Sequence, residues 1–180
     1  MCIRDRVSVH YLFSGEMPYT FKNKASLTFL TQALFSRYLV SIREEKGGTY
    51  GVQVWGSTEY LPKETYTMEI AFDTNEEMAD ELCEIIMKEI EEIAANGPKS
   101  EDVEKTREYM LKEWKNSLEQ NAGWVNYIGA RYGSGLDYVK DYEQTLQTLT
   151  NADVQAMAKK VLEDGNEVKV VMRPEKEETK

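Results

Sequence analysis

Between Val7 and Phe13 the side chains Val7, Val9, Tyr11 and Phe13 alternate with Ser8, His10 and Leu12, the period of a half-buried strand. Ser14-Gly15-Glu16-Met17-Pro18 breaks that alternation. From Lys24 to about Glu44 the spacing becomes helical, with Leu27, Leu30, Leu34 and Tyr38 on one face. Gly47-Gly48 ends the helix and lets the chain turn. Tyr50 to Ser57 predicts a second strand, with Tyr50, Val52 and Val54 on one side. After a turn at Leu61-Pro62-Lys63-Glu64, Thr65 to Phe72 gives the cleanest alternation in the chain. Tyr66, Met68, Ile70 and Phe72 point one way, and Thr65, Thr67 and Glu69 the other. Two strands joined by a short turn predict an antiparallel pair.

The second half of the pattern is helical. Thr74-Asn75-Glu76-Glu77 has the form of a capping box, opening a helix that carries Met78, Leu82, Ile85, Ile86, Ile90 and Ile93. Asn96-Gly97-Pro98 stops it. Ser100 is placed to cap the next helix, with Glu101 and Asp102 at the positive end of its dipole. Val103, Met110, Trp114 and Leu118 mark that helix. Further helices are predicted from Ala122 to Tyr132, from Asp137 to about Leu149, and from a capping box at Thr150-Asn151-Ala152-Asp153 through Leu162. Val168 to Met172 forms a last strand, and the charged stretch from Arg173 onward is expected to fray. The order β-α-β-β-α-α-α-α-α-β predicts an α+β fold of two layers, helices on one face of a mainly antiparallel sheet.

Length and charge narrow the function. The 180 residues fit one domain of about 100–200 residues, large enough to bury a core without a disulfide or metal staple. With 22 basic and 32 acidic side chains the formal charge is −10, a field that repels phosphate backbones, so nucleic acid is not an expected partner. No apolar run approaches the roughly 20 residues that span a bilayer. Cys2 and Cys83 offer no disulfide framework, and Cys83 beside Leu82 and Ile86 is expected to be a small, partly buried thiol. Met1-Cys2-Ile3-Arg4-Asp5-Arg6 resembles a translated sequencing adaptor and is read as a non-native leader; the expectation is one domain over 7–175 with a charged tail at 176–180. The natural polypeptide is then expected to extend upstream. The compartment stays open, the bacterial periplasm or cell envelope being one expectation.

Candidate chemistry is scarce. His10 is the sole histidine and lies on a predicted strand with no carboxylate at zinc-motif spacing, whereas a catalytic zinc takes three protein ligands. A Gly-x-Ser-x-Gly elbow and a phosphate loop are both missing. Trp114, Trp124 and Tyr127 could form an aromatic wall, but such a stripe at helical spacing reads first as core. One segment stands out: Ser41-Ile42-Arg43-Glu44-Glu45-Lys46-Gly47-Gly48-Thr49-Tyr50-Gly51-Val52. Arg43 closes a helix and Tyr50 opens a strand, across a loop whose glycines permit close backbone approach. A guanidinium and a phenol there can both donate to carbonyl oxygens of an extended peptide. Arg43 in a last turn also suits the helix dipole, and Tyr50 also fits a core position beside Val52. Chemistry alone leaves both readings open.

The stretch Ile42-Arg43-Glu44-Glu45-Lys46-Gly47-Gly48-Thr49-Tyr50-Gly51-Val52 closely resembles the Arg…Gly-x-x-Tyr segment in non-catalytic domains of insulinase/pitrilysin-type zinc metallopeptidases. The likeness continues through Tyr66 to Phe72, Asn96-Gly97-Pro98, Asn121 to Trp124, Leu149 to Val154 and Arg173-Pro174-Glu175, covering nearly everything from Val7 to Glu175. The resemblance implies a metallopeptidase-half (LuxS/MPP-like) fold. It also implies a division of labour, in which a zinc-bearing domain carries His-x-x-Glu-His and a non-catalytic domain holds the peptide. This sequence has no such motif, so it matches the non-catalytic partner. Carried over, Arg43 would bind a substrate carbonyl or stabilise developing charge, and Tyr50 would donate to the oxyanion of the scissile region. Gly47 and Gly48 would let the loop approach the peptide, although turn formation alone also explains them. The implied partners are a peptide substrate and a zinc-bearing catalytic half, on the same longer chain or a separate subunit; the zinc belongs to that half, and this chain alone should be inactive. A catalytically silent subunit or scaffold is the competing expectation, and self-association through an exposed sheet edge a further one.

Overall fold

The computed structural model describes residues 6–44 and 51–174, with Arg43 and Glu44 described by backbone alone. The elements run β1 (Val7–Glu16), α1 (Phe21–Tyr38), β2 (Val52–Glu59), β3 (Thr65–Thr74), α2 (Ala79–Asn96), α3 (Ser100–Leu118), α4 (Asn121–Ser134), α5 (Tyr142–Thr148), α6 (Asn151–Glu163) and β4 (Glu167–Met172). This is the predicted order. The strands form one antiparallel sheet in the order β2-β3-β1-β4, which leaves β2 and β4 at its margins among the described residues.

Alternation decides which face of the sheet is buried. Tyr66, Met68, Ile70 and Phe72 on β3 are all buried, as are Val7, Val9, Tyr11 and Phe13 on β1. Register places Val9 opposite Phe72 and Tyr11 opposite Ile70, so the two central strands share one apolar face. Removing such side chains from water is the main stabilising term, about 1.5–3 kcal/mol for each large one. The helices cover that face: α1 lies against β2, and α6 packs against both α1 and α2. Leu27, Leu30, Leu34 and Tyr38 of α1 and Leu82, Ile86, Ile90 and Ile93 of α2 all enter the core. At Gly56 a Cβ would stand 2.8 Å from Leu27 Cγ, so the missing side chain lets β2 close onto α1.

The opposite face is left open. It carries Ser8, His10 and Leu12 of β1, Gln53 and Trp55 of β2, and Ala71 and Asp73 of β3, together with Val168, Val170 and Met172 of β4. His10 lies opposite Ala71 and Val170, and Gln53 opposite Ala71.

Several boundaries differ from the sequence reading. β1 does not break at Ser14 but continues to Glu16, because Ser14, Gly15 and Glu16 pair with Thr67, Tyr66 and Thr65 of β3. α1 begins at Phe21, capped by the Thr20 hydroxyl, which accepts from the Asn23 amide at 3.2 Å. Its expected last turn is a separate π-helical turn, Leu39–Glu44. Thr74 opens no capping box: it is the last residue of β3, opposite Val7, and Asn75 Oδ1 instead accepts from the Met78 amide at 2.9 Å. The Ser100 hydroxyl does not cap α3, since Ser100 is its first residue and accepts from Asn151 Nδ2 at 2.9 Å. The helix expected from Asp137 begins at Tyr142, because Asp137 Oδ1 takes the amides of Val139 and Lys140, both at 3.1 Å, into a turn. Arg173 is not frayed; it pairs with Glu76 at 2.6 Å and Asp80 at 2.7 Å. The capping box at Thr150 is present as read, as is the stop at Gly97, where φ is 80°.

Candidate functional site

The junction between α1 and β2 is held from both ends. On the helix side Tyr38 is buried, and its phenol donates to the Ile86 carbonyl at 2.9 Å. Burial, and then the nearby Glu89 carboxylate, push the Tyr38 phenol well above its ordinary value. Arg37 pairs with Glu89 at 3.0 Å with both side chains mostly buried, tying the end of α1 to α2. The chain then widens into the π-helical turn, where Ile42 is fully buried and the Ser41 hydroxyl donates back to the Arg37 carbonyl at 3.0 Å. Such turns occur mostly as local insertions and often at functional sites. Arg43 follows Ile42 directly, so its backbone stands on an anchored segment. On the strand side Val52 is buried in the same core.

The sequence-predicted site residues divide accordingly. The backbone of Arg43 lies in the π-helical turn, while Gly47, Gly48 and Tyr50 lie outside the described residues. Two features beside the junction were not singled out from sequence. One is the π-helical geometry, since the side-chain pattern of residues 39–44 is compatible with either helix type. The other is a hollow of about 390 Å3 on the open face, at the end of the sheet where β2 begins, walled by His10, Gly51, Gln53, Ala71 and Asp73. Its residues come from three separate segments, and strand register alone brings them together. A larger hollow, about 460 Å3, lies at the opposite margin between α2 and β4, with Tyr11 and Cys83 at its base and Glu84, Lys88, Glu167 and Lys169 around it.

Among the described residues no group of three or more His, Cys, Asp or Glu side chains is gathered to hold a metal ion. The donor residues do not fit a zinc site. His10 is exposed on the open face, whereas Cys83 is buried in the helix layer, where its carbonyl lies 3.4 Å from the inward-facing Tyr11 hydroxyl. The sheet separates them. No described helix is long and apolar enough to cross a membrane.

The three aromatic candidates have different surroundings. Trp114 is buried, its indole donating to the Tyr138 carbonyl at 3.0 Å. Tyr127 stacks on Tyr138 at 4.8 Å between ring centres and shares a hydrogen bond with Ser117. Trp124 is not core: it is 43% exposed, beside Val125, Ile128 and Tyr132, which are more exposed still. Those outward side chains on α4 follow helical spacing, but periodicity does not say which face of a helix is covered.

Residues 2–110 match the family model described as the peptidase M16 inactive domain. The chain belongs to this family. No match to a curated protein is found. Among solved structures, the periplasmic protease PqqL from Escherichia coli superposes with a TM-score of 0.83 at 19% identity, over 97% of this chain and 20% of PqqL. A peptidase M16 inactive domain from Pseudomonas fluorescens gives a TM-score of 0.76 at 22% identity, over 96% of this chain and 42% of that one. A protease from Helicobacter pylori gives 0.78 at 16% identity, over 94% and 41%. These likenesses confirm the fold of an M16 inactive domain, and the chain spans only about a fifth to two fifths of the length of these structures.

Proposed function

We propose that residues 7–175 form one non-catalytic, substrate-binding domain of a zinc-dependent endopeptidase, between a non-native leader at 1–6 and a charged tail at 176–180. It holds an extended peptide while zinc hydrolysis takes place in a separate domain, upstream on a longer chain or on a partner subunit. Arg43 binds a substrate carbonyl or stabilises the charge that develops on it. Tyr50 donates to the oxyanion, a group whose stabilisation requires donors held in place beforehand. Gly47 and Gly48 let the loop approach the peptide.

The observation that carries this reading is the pairing of membership in the inactive-domain family with an Arg…Gly-x-x-Tyr sequence flanked by the buried Ile42 and Val52. The burial of Ile42 and Val52 fixes the two points from which the intervening segment departs. The separation of His10 from Cys83 by the sheet is consistent with a reading in which hydrolysis takes place in a different domain.

The test uses the purified chain, zinc and a fluorogenic peptide library, with and without a zinc-bearing M16 half. Silence alone with cleavage on mixing is expected; cleavage by the chain alone would overturn the reading. A second reading, a catalytically silent structural subunit, is favoured by the outward apolar stripe Val125, Ile128 and Tyr132 on α4, since exposed apolar patches often mark protein contacts. It predicts a stable complex with the other half and no cleavage.

A further inference from the structure

The hollow beside the junction has a physical origin in side-chain size. Along one row of the open face, register sets Gln53, Ala71 and His10 side by side, so a methyl group lies between two longer polar side chains. At the corner, Gly51 carries no side chain, and a Cβ added there would meet nothing within 4 Å. Asp73 forms the adjoining wall. Its carboxylate is held in place: the Ser8 hydroxyl donates to Oδ1 at 2.5 Å and Arg6 Nη1 to Oδ2 at 2.9 Å. It is still 40% exposed.

We infer that this hollow takes the ammonium or guanidinium group of a lysine or arginine side chain of the bound peptide. The inference rests on the peptide-holding reading above and adds a preference to it. The placement is favourable because Gly51, at the rim, directly follows Tyr50 in the chain. The chemistry is favourable because Asp73 supplies charge and Gln53 a carbonyl acceptor, while the floor at Ala71 accommodates an aliphatic stem. In this chain Asp73 Oδ2 accepts the Arg6 guanidinium at 2.9 Å, so a peptide cation takes the place of Arg6, a residue of the leader, on that oxygen. The formal charge of −10 draws cationic peptides towards the domain at longer range.

The experiment is fluorescence anisotropy with the full chain and fluorescein-labelled extended peptides that carry one lysine, each against its norleucine twin. The lysine is moved along the peptide from one probe to the next. At one position lysine should bind about threefold more tightly than norleucine, the size expected of a partly exposed ion pair. Asp73→Asn should abolish that ratio, and Asp73→Lys should instead favour a glutamate peptide, with far-UV circular dichroism confirming the fold. Arg43→Ala should weaken both twins equally and preserve the ratio. Binding that depends on Arg43 but not on lysine at any position overturns this inference alone. Absence of binding by every peptide overturns the peptide-holding reading with it.

Discussion

The phenol of Tyr66 donates to Asp164 Oδ2 at 2.9 Å, joining the centre of the sheet to the end of α6, and the pair fills the space above Gly15. Lys160 approaches the same carboxylate, at 3.0 Å. A Cβ on Gly15 would stand 2.1 Å from Asp164 Oδ2 and 2.8 Å from Tyr66 Cε1. Glycine is therefore required at this strand position by close approach rather than by turn geometry.

Gly15→Ala should lower unfolding stability by about 1–3 kcal/mol, the range for forcing extra atoms into a filled site. Asp164→Ala removes the nearer obstacle, so the double variant should lose less than the two single costs added together. Chemical denaturation of the four proteins measures this. Strict additivity would show that the Gly15 space is not set by Asp164.

The capping box of α6 yields a pH-dependent prediction. Burial alone would raise the Asp153 carboxyl, but Lys22 at 2.7 Å and the Thr150 amide and hydroxyl outweigh it and hold Asp153 below its ordinary value. A carboxylate favoured in the folded state stabilises above its unfolded pKa and loses that contribution as the pH falls through the folded one. Asp153→Asn should therefore be less stable than the parent at neutral pH, with the gap closing as the pH falls through and below the usual aspartate range. Thr150→Ala should cost about 1 kcal/mol as a lost cap. Thermal melts across the acid range test both, and a gap that widens in acid would contradict the assignment.

At the alkaline end the aromatic cluster around Phe21 governs the response. Burial pushes the Tyr138 phenol up to about 12, with Tyr19 and Tyr127 adding to it, and the Tyr142 phenol up to about 12, with Tyr138 and Tyr127 adding to it. Tyr66 is raised by burial and then by its bond to Asp164. In the unfolded chain these phenols ionise near the ordinary value of 10.0. The folded protein then binds more protons above that pH, so stability should fall as the pH rises through 10 towards 12. Absorbance near the phenolate band, read against circular dichroism, should show Tyr138 and Tyr142 ionising late or together with unfolding. Early ionisation in a folded protein would show that they are solvated.

How much of this was legible from sequence depended on the physical signal. The β3 alternation and the α2 apolar stripe were readable because burial on one face imposes a period, and Thr150-x-x-Asp153 because both partners of the cap lie within one turn. Thr74-x-x-Glu77 had the same form and failed: the β3 ladder with Val7 holds Thr74 in the strand, and a long-range pairing of that kind leaves no local trace. The hollow around Ala71 was hidden for the same reason, since its walls come from three separate strand segments, whereas the π-helical turn at Leu39–Glu44 was hidden because its side-chain pattern fits either helix type. At the junction the residue types Arg43, Gly47, Gly48 and Tyr50 were visible, while the anchoring by Ile42, Val52 and the Arg37–Glu89 pair emerged only in three dimensions.

The roles assigned to Arg43 and Tyr50 make separable kinetic predictions in a complete enzyme that contains this domain and a zinc-bearing half. A phenol that donates to a developing oxyanion acts mainly in the transition state. Tyr50→Phe should therefore lower kcat by about a hundredfold or more with little change in KM. A guanidinium that holds a substrate carbonyl acts in the ground state as well, so Arg43→Ala should raise KM in addition to lowering kcat. Arg43→Lys should recover only part of the loss, because an ammonium lacks the planar fork of donors. Steady-state kinetics on one fluorogenic peptide, with zinc content matched across variants, distinguishes these effects. Unchanged turnover in both Tyr50→Phe and Arg43→Ala would remove the assigned roles and leave the domain as a structural partner of the catalytic half.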